Sequence, residues 1–142
     1  MLRKQFEAVL SEFGGIVGQE LAFADDVVTF AVDDEVLVNL HYLNDSDYIL
    51  AWSPIGDFGG EDDAEAGERA LALLRLNDIG GETQGFTLAL DADSSLVLAL
   101  DRQSALVLGS ADALAAWLEA LVHVVRTVRT YFVDNFPVKE AP

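Results

Sequence analysis

Residues 73–91, LLRLNDIGGETQGFTLALD, change their hydrophobic period halfway along the stretch. Up to Asn77 the apolar residues recur at the spacing of an α-helix, and after Gly85 apolar and polar residues alternate as in a half-buried β-strand. Gly80 and Gly81 lie between the two patterns and are expected to end the helix. The stretch therefore predicts a helix near 61–78 and a strand over 85–91, and it contains no recognisable catalytic motif.

Apolar side chains cover more than one side of this predicted helix. They are Ala66, Ala70, Leu71, Leu73, Leu74 and Leu76. A helix that is apolar over so much of its circumference has to be buried on two sides. In a chain of 142 residues, the second covering surface can be another subunit.

The residues after this stretch predict a hairpin. A second alternating segment, SLVLALD (95–101), follows the strand over 85–91 after a turn at 92–94. We expect Phe86, Leu88 and Leu90 to face a counterpart set on the second strand, namely Leu96, Leu98 and Leu100. The run DADSS begins like a calcium loop, but Leu96 stands where that loop needs glycine and Arg102 where it needs glutamate, which favours a hairpin turn.

The first third of the chain predicts a helix and a three-stranded meander. Apolar residues at helical spacing begin at Leu2 and stop at Gly14-Gly15, where the helix is expected to end. Strands over 27–32 and 35–43 flank a tight turn at Asp33-Asp34, and a third strand covers 48–52. The segment 53–63 is interpreted as a loop.

The last third of the chain predicts a long helix that begins after Ser110, a residue suited to cap a helix N-terminus. Arg126 and Arg129 are expected in its last turns, where cations favour the helix dipole. The predicted fold is α+β: a twisted antiparallel sheet of about five strands with three helices, in the order α-β-β-β-α-β-β-α. We predict a single domain over 1–136 and a frayed tail over 137–142.

The charge of the chain excludes several classes of partner. The formal net charge is −17, and between Gln5 and Glu68 there are sixteen Asp and Glu residues but no Lys or Arg. A nucleic-acid binder has to neutralise phosphates, and an anionic membrane attracts basic segments. We therefore predict no nucleic-acid partner and no membrane insertion, and expect a basic or amphipathic protein partner instead.

Residue types that carry catalysis or metal binding are scarce. The chain has no cysteine and two histidines, which do not make a zinc site without further ligands at recognisable spacing. Its paired carboxylates, such as Asp25-Asp26 and Asp62-Asp63, fall in polar segments of surface type. We predict no catalytic activity, no cofactor and no metal. The amphipathic start differs from a signal peptide, and no apolar run is long enough to span a membrane, so we expect a cytoplasmic protein.

The order of elements, together with LALLRLN (71–77), GFTLALD (85–91), LVLALD (96–101) and LAAWLEAL (114–121), resembles one known family over nearly the whole chain. It is similar to the class I chaperones of bacterial type III secretion, the Tir-chaperone-like (CesT-type) family. Glycines usual in that family are absent at Leu88-Ala-Leu-Asp91 and at 93–95. A non-secretory adaptor or regulator of the YbjN-like kind on the same fold is therefore the alternative.

The resemblance implies binding without catalysis. Such chaperones are homodimers that hold the N-terminal region of a secreted effector in an extended form, and contact with the secretion ATPase is a further implied interaction. The implied dimer interface comprises Leu71, Leu74, Phe86 and Leu88. The implied effector contacts are Phe6, Leu10, Phe13, Val28, Phe30 and Leu37. For each of these residues, burial in the core of one subunit is the alternative.

Overall fold

The computed structural model describes residues 2–60, 62–77 and 83–137. Its elements, in chain order, are α1 (Leu2–Val17), β1 (Val27–Val32), β2 (Val36–Leu43), β3 (Tyr48–Asp57), α2 (Ala66–Leu76), β4 (Thr87–Leu90), β5 (Leu96–Ser104) and α3 (Ala111–Asn135). The predicted α+β class and element order are confirmed. The predicted helix end at Gly80-Gly81 and most of the predicted tail, 138–142, lie outside the described residues.

The five strands form one antiparallel sheet in the spatial order β1-β2-β3-β5-β4. Both α1 and α3 pack on the same face of this sheet, where ring contacts join Phe6 to Tyr42 at 6.1 Å and Phe13 to Phe30 at 6.1 Å. The alternation in β2 explains the arrangement, because Val36, Val38, Leu40 and Tyr42 are all buried against the helices. The core therefore lies between one sheet face and two helices.

Helix α1 does not end at Gly14-Gly15 as predicted but continues to Val17. Gly14 allows a close approach, because a Cβ there would lie 2.5 Å from the carbonyl oxygen of Gln19. The helix ends instead at Gly18, whose φ is +74°, and the backbone N–H of Gln19 donates to the Gly14 carbonyl at 2.8 Å. This is the bond of a Schellman ending, for which a glycine with positive φ is the usual residue.

Strand β3 is longer than predicted, because residues 53–57 extend it with a bulge between Pro54 and Gly56. The guanidinium of Arg129 stabilises this extension from α3. It donates to the carbonyl oxygens of Ile55 at 2.6 Å, Pro54 at 3.2 Å and Glu35 at 3.0 Å. Arg129 thus lies well before the C-terminal end of α3, and its role is to satisfy backbone carbonyls rather than the helix dipole.

The strand pairing in the β4–β5 hairpin is shifted by one residue from the predicted pairing. Leu88 pairs with Ala99 and Leu90 with Val97, so Leu98 lies opposite Ala89 on the other face of the sheet. A shift of one residue reverses the face of every side chain in a strand. Phe86, Leu88, Val97 and Ala99 are consequently the buried set, and Leu96, Leu98 and Leu100 lie on the face away from α1 and α3.

Asn77 connects α2 to the sheet through its side chain. Its Nδ2 donates to the carbonyl oxygen of Leu88 at 3.0 Å, and its Oδ1 accepts from the backbone N–H of Leu88 at 2.7 Å. The carboxamide therefore makes the two backbone hydrogen bonds to Leu88 that a neighbouring strand would otherwise make. Leu88 is 5% exposed, so these backbone groups depend on Asn77 for their partners.

We expect Asn77→Ala to lower the free energy of unfolding by about 1–3 kcal/mol, because it leaves a buried N–H and a buried C=O without partners. Urea denaturation followed by circular dichroism measures the change. The matched control is Asn135→Ala, which removes a carboxamide that donates to Tyr131 at an exposed helix end, and it should change the stability by less than about 0.5 kcal/mol. Equal losses in the two variants would contradict the role of Asn77.

Candidate functional site

Strands β1 and β4 form the two edges of the sheet. The outer strand of a sheet presents a row of N–H and C=O groups that can pair with an added strand. The two edges differ in whether their outward backbone groups already have hydrogen-bond partners within the chain. This difference defines the candidate functional surfaces.

The β4 edge is closed by the chain itself. Asn77 occupies both backbone groups of Leu88, and the N–H of Phe86 donates to the carbonyl oxygen of Thr83 at 2.9 Å. Helix α2 contacts β4 from the same side. At Phe86 and Leu88 an added strand would therefore meet backbone groups that already have partners.

The outer face of α2 is apolar and exposed. Leu71 is 46% exposed and Leu74 is 70% exposed, whereas Leu73 is buried against the sheet. The expectation that α2 is apolar on two sides is thus met by one buried side and one exposed side. Leu90, at the end of β4, is also exposed, although it was predicted to share a face with Phe86 and Leu88, which are buried.

The four residues predicted for a dimer interface divide into two pairs. Leu71 and Leu74 can contact a second chain directly. Phe86 and Leu88 are at most 5% exposed, and the Phe86 ring stacks on Trp117 with a centroid distance of 6.4 Å. They lie beneath α2 and can influence an interface only by holding that helix in place. The dimer stays a prediction.

The β1 edge is open at its centre. Residues 27, 29 and 31 direct their backbone groups outward, since the alternate residues pair with β2. Val27 is paired with Ala24, and the Ala31 carbonyl oxygen accepts from Gln19 Nε2 at 3.2 Å. Within the described part of the chain, the outward N–H and C=O of Thr29 and the N–H of Ala31 have no partner.

Apolar side chains surround this open edge. Ile16 and Val17 at the end of α1 are 67% and 43% exposed, and Gln19 connects this segment to Ala31. Leu37, which pairs with Ala31 in the sheet, is 48% exposed. An extended segment along β1 would therefore have backbone partners at Thr29 and apolar contacts on both sides.

Of the six residues predicted to contact an effector, only Leu37 is exposed. The other five have at most 9% of their surface exposed: Phe6, Leu10, Phe13, Val28 and Phe30. They form the core beneath the β1 edge and support it without reaching the surface. Sequence reasoning missed Ile16 and Val17 because it ended α1 at Gly14-Gly15. Whether any of these residues contacts an effector stays a prediction.

A polar cluster fixes the start of β1. The Arg3 guanidinium binds the Asp26 carboxylate and lowers the pKa of Asp26, and the Asn44 carboxamide, which donates to Asp26 at 2.9 Å, lowers it further. Burial raises the pKa of Tyr42 to about 12, and a hydrogen bond from its hydroxyl to Asp47 at 2.6 Å adds to the effect. The ring of Tyr42 also lies 5.3 Å from the Arg3 guanidinium carbon. These contacts hold Asp26, and hence the first residue of β1, in position.

No group of three or more His, Asp or Glu side chains that could hold a metal ion occurs in residues 2–60, 62–77 and 83–137. In the same residues, no helix is both long enough and apolar enough to cross a membrane.

Comparisons with solved structures show the fold shared by this chain. A chain of the HopA1–SchA chaperone–effector complex matches with a TM-score of 0.72 and 19% identity, covering 89% of this chain and 94% of that one. A chain of the ExsC–ExsE complex matches with a TM-score of 0.67 and 16% identity, covering 89% and 92%.

A third match is a chain in the structure of the Yersinia pestis type III secretion chaperone SycH with a stable fragment of YscM2. It has a TM-score of 0.61 and 21% identity, and covers 86% of this chain and 98% of that one. None of the curated protein sequences matches this chain.

The family itself is shown by a profile match over most of the sequence. The profile of the Tir chaperone protein (CesT) family matches residues 8–129. This range begins within α1 and ends within α3, so it includes all five strands and α2. The resemblance stated from the sequence is thereby confirmed, and the chain belongs to the Tir chaperone protein (CesT) family.

Proposed function

We propose that this chain is a type III secretion chaperone that binds the N-terminal region of a secreted effector as an extended segment and keeps it competent for secretion. The observation that carries the proposal is the difference between the two sheet edges. The β1 edge has unpartnered backbone groups at Thr29 and exposed apolar side chains beside them, whereas Asn77 closes the β4 edge. Similar folds occur in structures described as chaperone–effector complexes.

Strand addition at β1 fits an unfolded client. Main-chain hydrogen bonds give affinity for any extended segment, and side chains on alternate positions select the sequence. Leu37 lies on the open face of the sheet, and Ile16 lies at the end of α1 on the helix side. Alternate side chains of a bound segment would meet these two apolar surfaces in turn.

The acidic charge suits such a role. The apolar residues at the β1 edge belong to a stretch without any Lys or Arg between Gln5 and Glu68. Carboxylates around an apolar patch keep the patch hydrated and repel other copies of the same chain. The client segment we expect is therefore apolar with basic residues. The chaperone would act in the bacterial cytoplasm, before export, by binding alone and without catalysis.

The proposal includes a homodimer through α2. Leu71 and Leu74 lie one turn apart on its exposed face, and Leu90 adds to the apolar surface. Two copies would present two β1 edges at opposite sides of the assembly, which would suit one long segment wrapped around both. The chaperone would then deliver the bound client to the ATPase of the secretion apparatus.

Co-expression with the secreted protein encoded beside it tests the proposed function. We expect a stable complex that co-purifies through size-exclusion chromatography and is lost when the N-terminal region of the client is deleted. Capture of a folded protein that is indifferent to such a deletion would support the adaptor alternative. A monomer that captures no secreted protein would overturn the proposal.

We expect Thr29→Pro to weaken client binding about tenfold or more, because proline has no N–H to donate to an added strand. The matched control is Thr29→Ala, which also removes the hydroxyl that donates to Asn39 but keeps the backbone donor. Isothermal titration with the client's N-terminal segment compares the two variants. If both bind alike, strand addition at β1 is wrong.

We expect Leu74→Asp to raise the dimer dissociation constant at least about tenfold, because it places a charge in the centre of the proposed apolar contact. Light scattering during size-exclusion chromatography measures the mass at a series of concentrations. The control, Leu106→Asp, alters a residue that is 72% exposed in the turn before α3 and should leave the mass unchanged. A Leu74→Asp protein with the mass of the parent would exclude α2 as the interface.

A further inference from the structure

A cavity of about 930 Å³ lies between the end of β3, the loop after it, the start of α2 and the last turns of α3. Ligand sites in proteins usually have volumes of about 300–1,000 Å³ and largely apolar walls. This cavity has such walls, formed by Ile55, Phe58, Val97, Phe132, Val133 and Phe136. Its lining includes no residue of β1 and neither Leu71 nor Leu74 of α2.

One wall contains a buried cation whose hydrogen-bonding groups are incompletely used. Arg69 is 6% exposed, and its guanidinium carbon lies 4.9 Å from the centre of the Phe58 ring. Its Nη2 donates to the Gly60 carbonyl oxygen at 3.2 Å, and its Nη1 lies 3.7 Å from Asp63 and 3.9 Å from Glu65. Its Nε is buried and has no acceptor within the described residues. This nitrogen is closed off from solvent, so Arg69 contributes its charge and its contact with the Phe58 ring to the cavity wall.

The charges around the cavity select against an anionic occupant. The lining includes three carboxylates, on Asp57, Asp63 and Glu65. The second lining cation, Arg129, already donates to three backbone carbonyl oxygens. The lining therefore has three negative charges and two positive charges, and this net negative charge attracts a basic occupant.

We propose that this cavity binds a short peptide segment that places apolar side chains among the phenylalanine rings and has lysine or arginine on either side. A peptide fits better than an apolar small molecule, because one short chain supplies both apolar side chains for the walls and basic side chains for the carboxylates of the lining. This inference rests on the proposed function for the source of the segment, which would be a second part of the same client. The cavity would thus anchor the client at a point remote from β1.

Gly56 offers a way to fill the cavity without disturbing the fold. It lines the cavity, and a Cβ built on it meets no atom within 4 Å. Gly56→Trp should therefore place an indole in the cavity. Leu106→Trp is the control, because Leu106 is 72% exposed in the turn before α3 and does not line the cavity. Val133→Trp, at a lining position that is 67% exposed, fills the cavity from the helix side.

The test uses a fluorescein-labelled hexapeptide with two central leucines between pairs of lysines, and fluorescence anisotropy. In a Thr29→Pro background, which removes the backbone donor for strand addition at β1, we expect Gly56→Trp and Val133→Trp each to weaken binding about tenfold and Leu106→Trp to have no effect. A peptide with glutamates in place of the lysines should bind about tenfold more weakly to the parent protein, and added salt should reduce the difference.

Each contrary outcome identifies what is wrong. Equal binding by the cavity-filled variants and the Leu106→Trp control overturns the site, and equal binding of the two peptides overturns the charge selection. A change in the mass of the assembly in Gly56→Trp would mean that a second copy covers the cavity, and would also overturn it. If the parent captures a client and the peptide results fail, only this inference fails. If the peptide results hold and no secreted protein is captured, only the proposed function fails.

Discussion

The pairing of the Asn77 carboxamide with the backbone of Leu88 determines which edge of the sheet remains available. Asn77 satisfies the N–H and C=O of Leu88 as a strand would, at 2.7 and 3.0 Å, and holds α2 against β4. With that edge occupied, the outward backbone groups at Thr29 are left on the opposite edge. A single side chain thus makes the sheet asymmetric, and it lies at the point where the opening stretch changes its period.

Packing of two helices on one sheet face has a second consequence. Because α1 and α3 cover the face that contains Val36 and Leu40, the other face and the outer side of α2 have no covering element within the described chain. Ordinary stability does not require Leu71 and Leu74 to be apolar, since a surface helix is usually polar on its outer side. Leu71 and Leu74 are therefore the surface that the proposed dimer would cover.

The sequence predicted those features that local chemistry determines. Both residues of the Asp33-Asp34 turn have a φ of +54°, as a tight hairpin requires, and Ser110 accepts from the N–H of Ala113 at 3.1 Å as a helix cap. Features that depend on contacts outside a single helix or strand were missed. Gly14 adjoins Gln19 and Leu21 rather than ending α1, and the extension of β3 depends on Arg129, which is 74 residues from Ile55.

The candidate site was predicted less well than the fold, for a related reason. Alternation identifies two faces of a strand but not which face a helix will cover, so Val28, Phe30 and Leu37 were grouped although only Leu37 is exposed. The register between β4 and β5 has the same ambiguity, because the paired residues, 87–90 and 97–100, are all apolar except Thr87. A hydrophobic pattern marks buried core residues and exposed apolar residues alike. Only the packing of the helices on the sheet distinguishes the two groups.

The energetics of an extended client explain why several separate surfaces are needed. Ordering the backbone of each residue costs about 1–2 kcal/mol, whereas a hydrogen bond contributes about 0.5–1.5 kcal/mol. The unpartnered groups of Thr29 and Ala31 therefore offset the ordering of only two or three residues. Each apolar anchor that becomes buried adds about 1.5–3 kcal/mol. Affinity for a long segment then has to come from apolar contacts beside β1 and at other points of the chain, with the backbone pairing setting the direction of the segment.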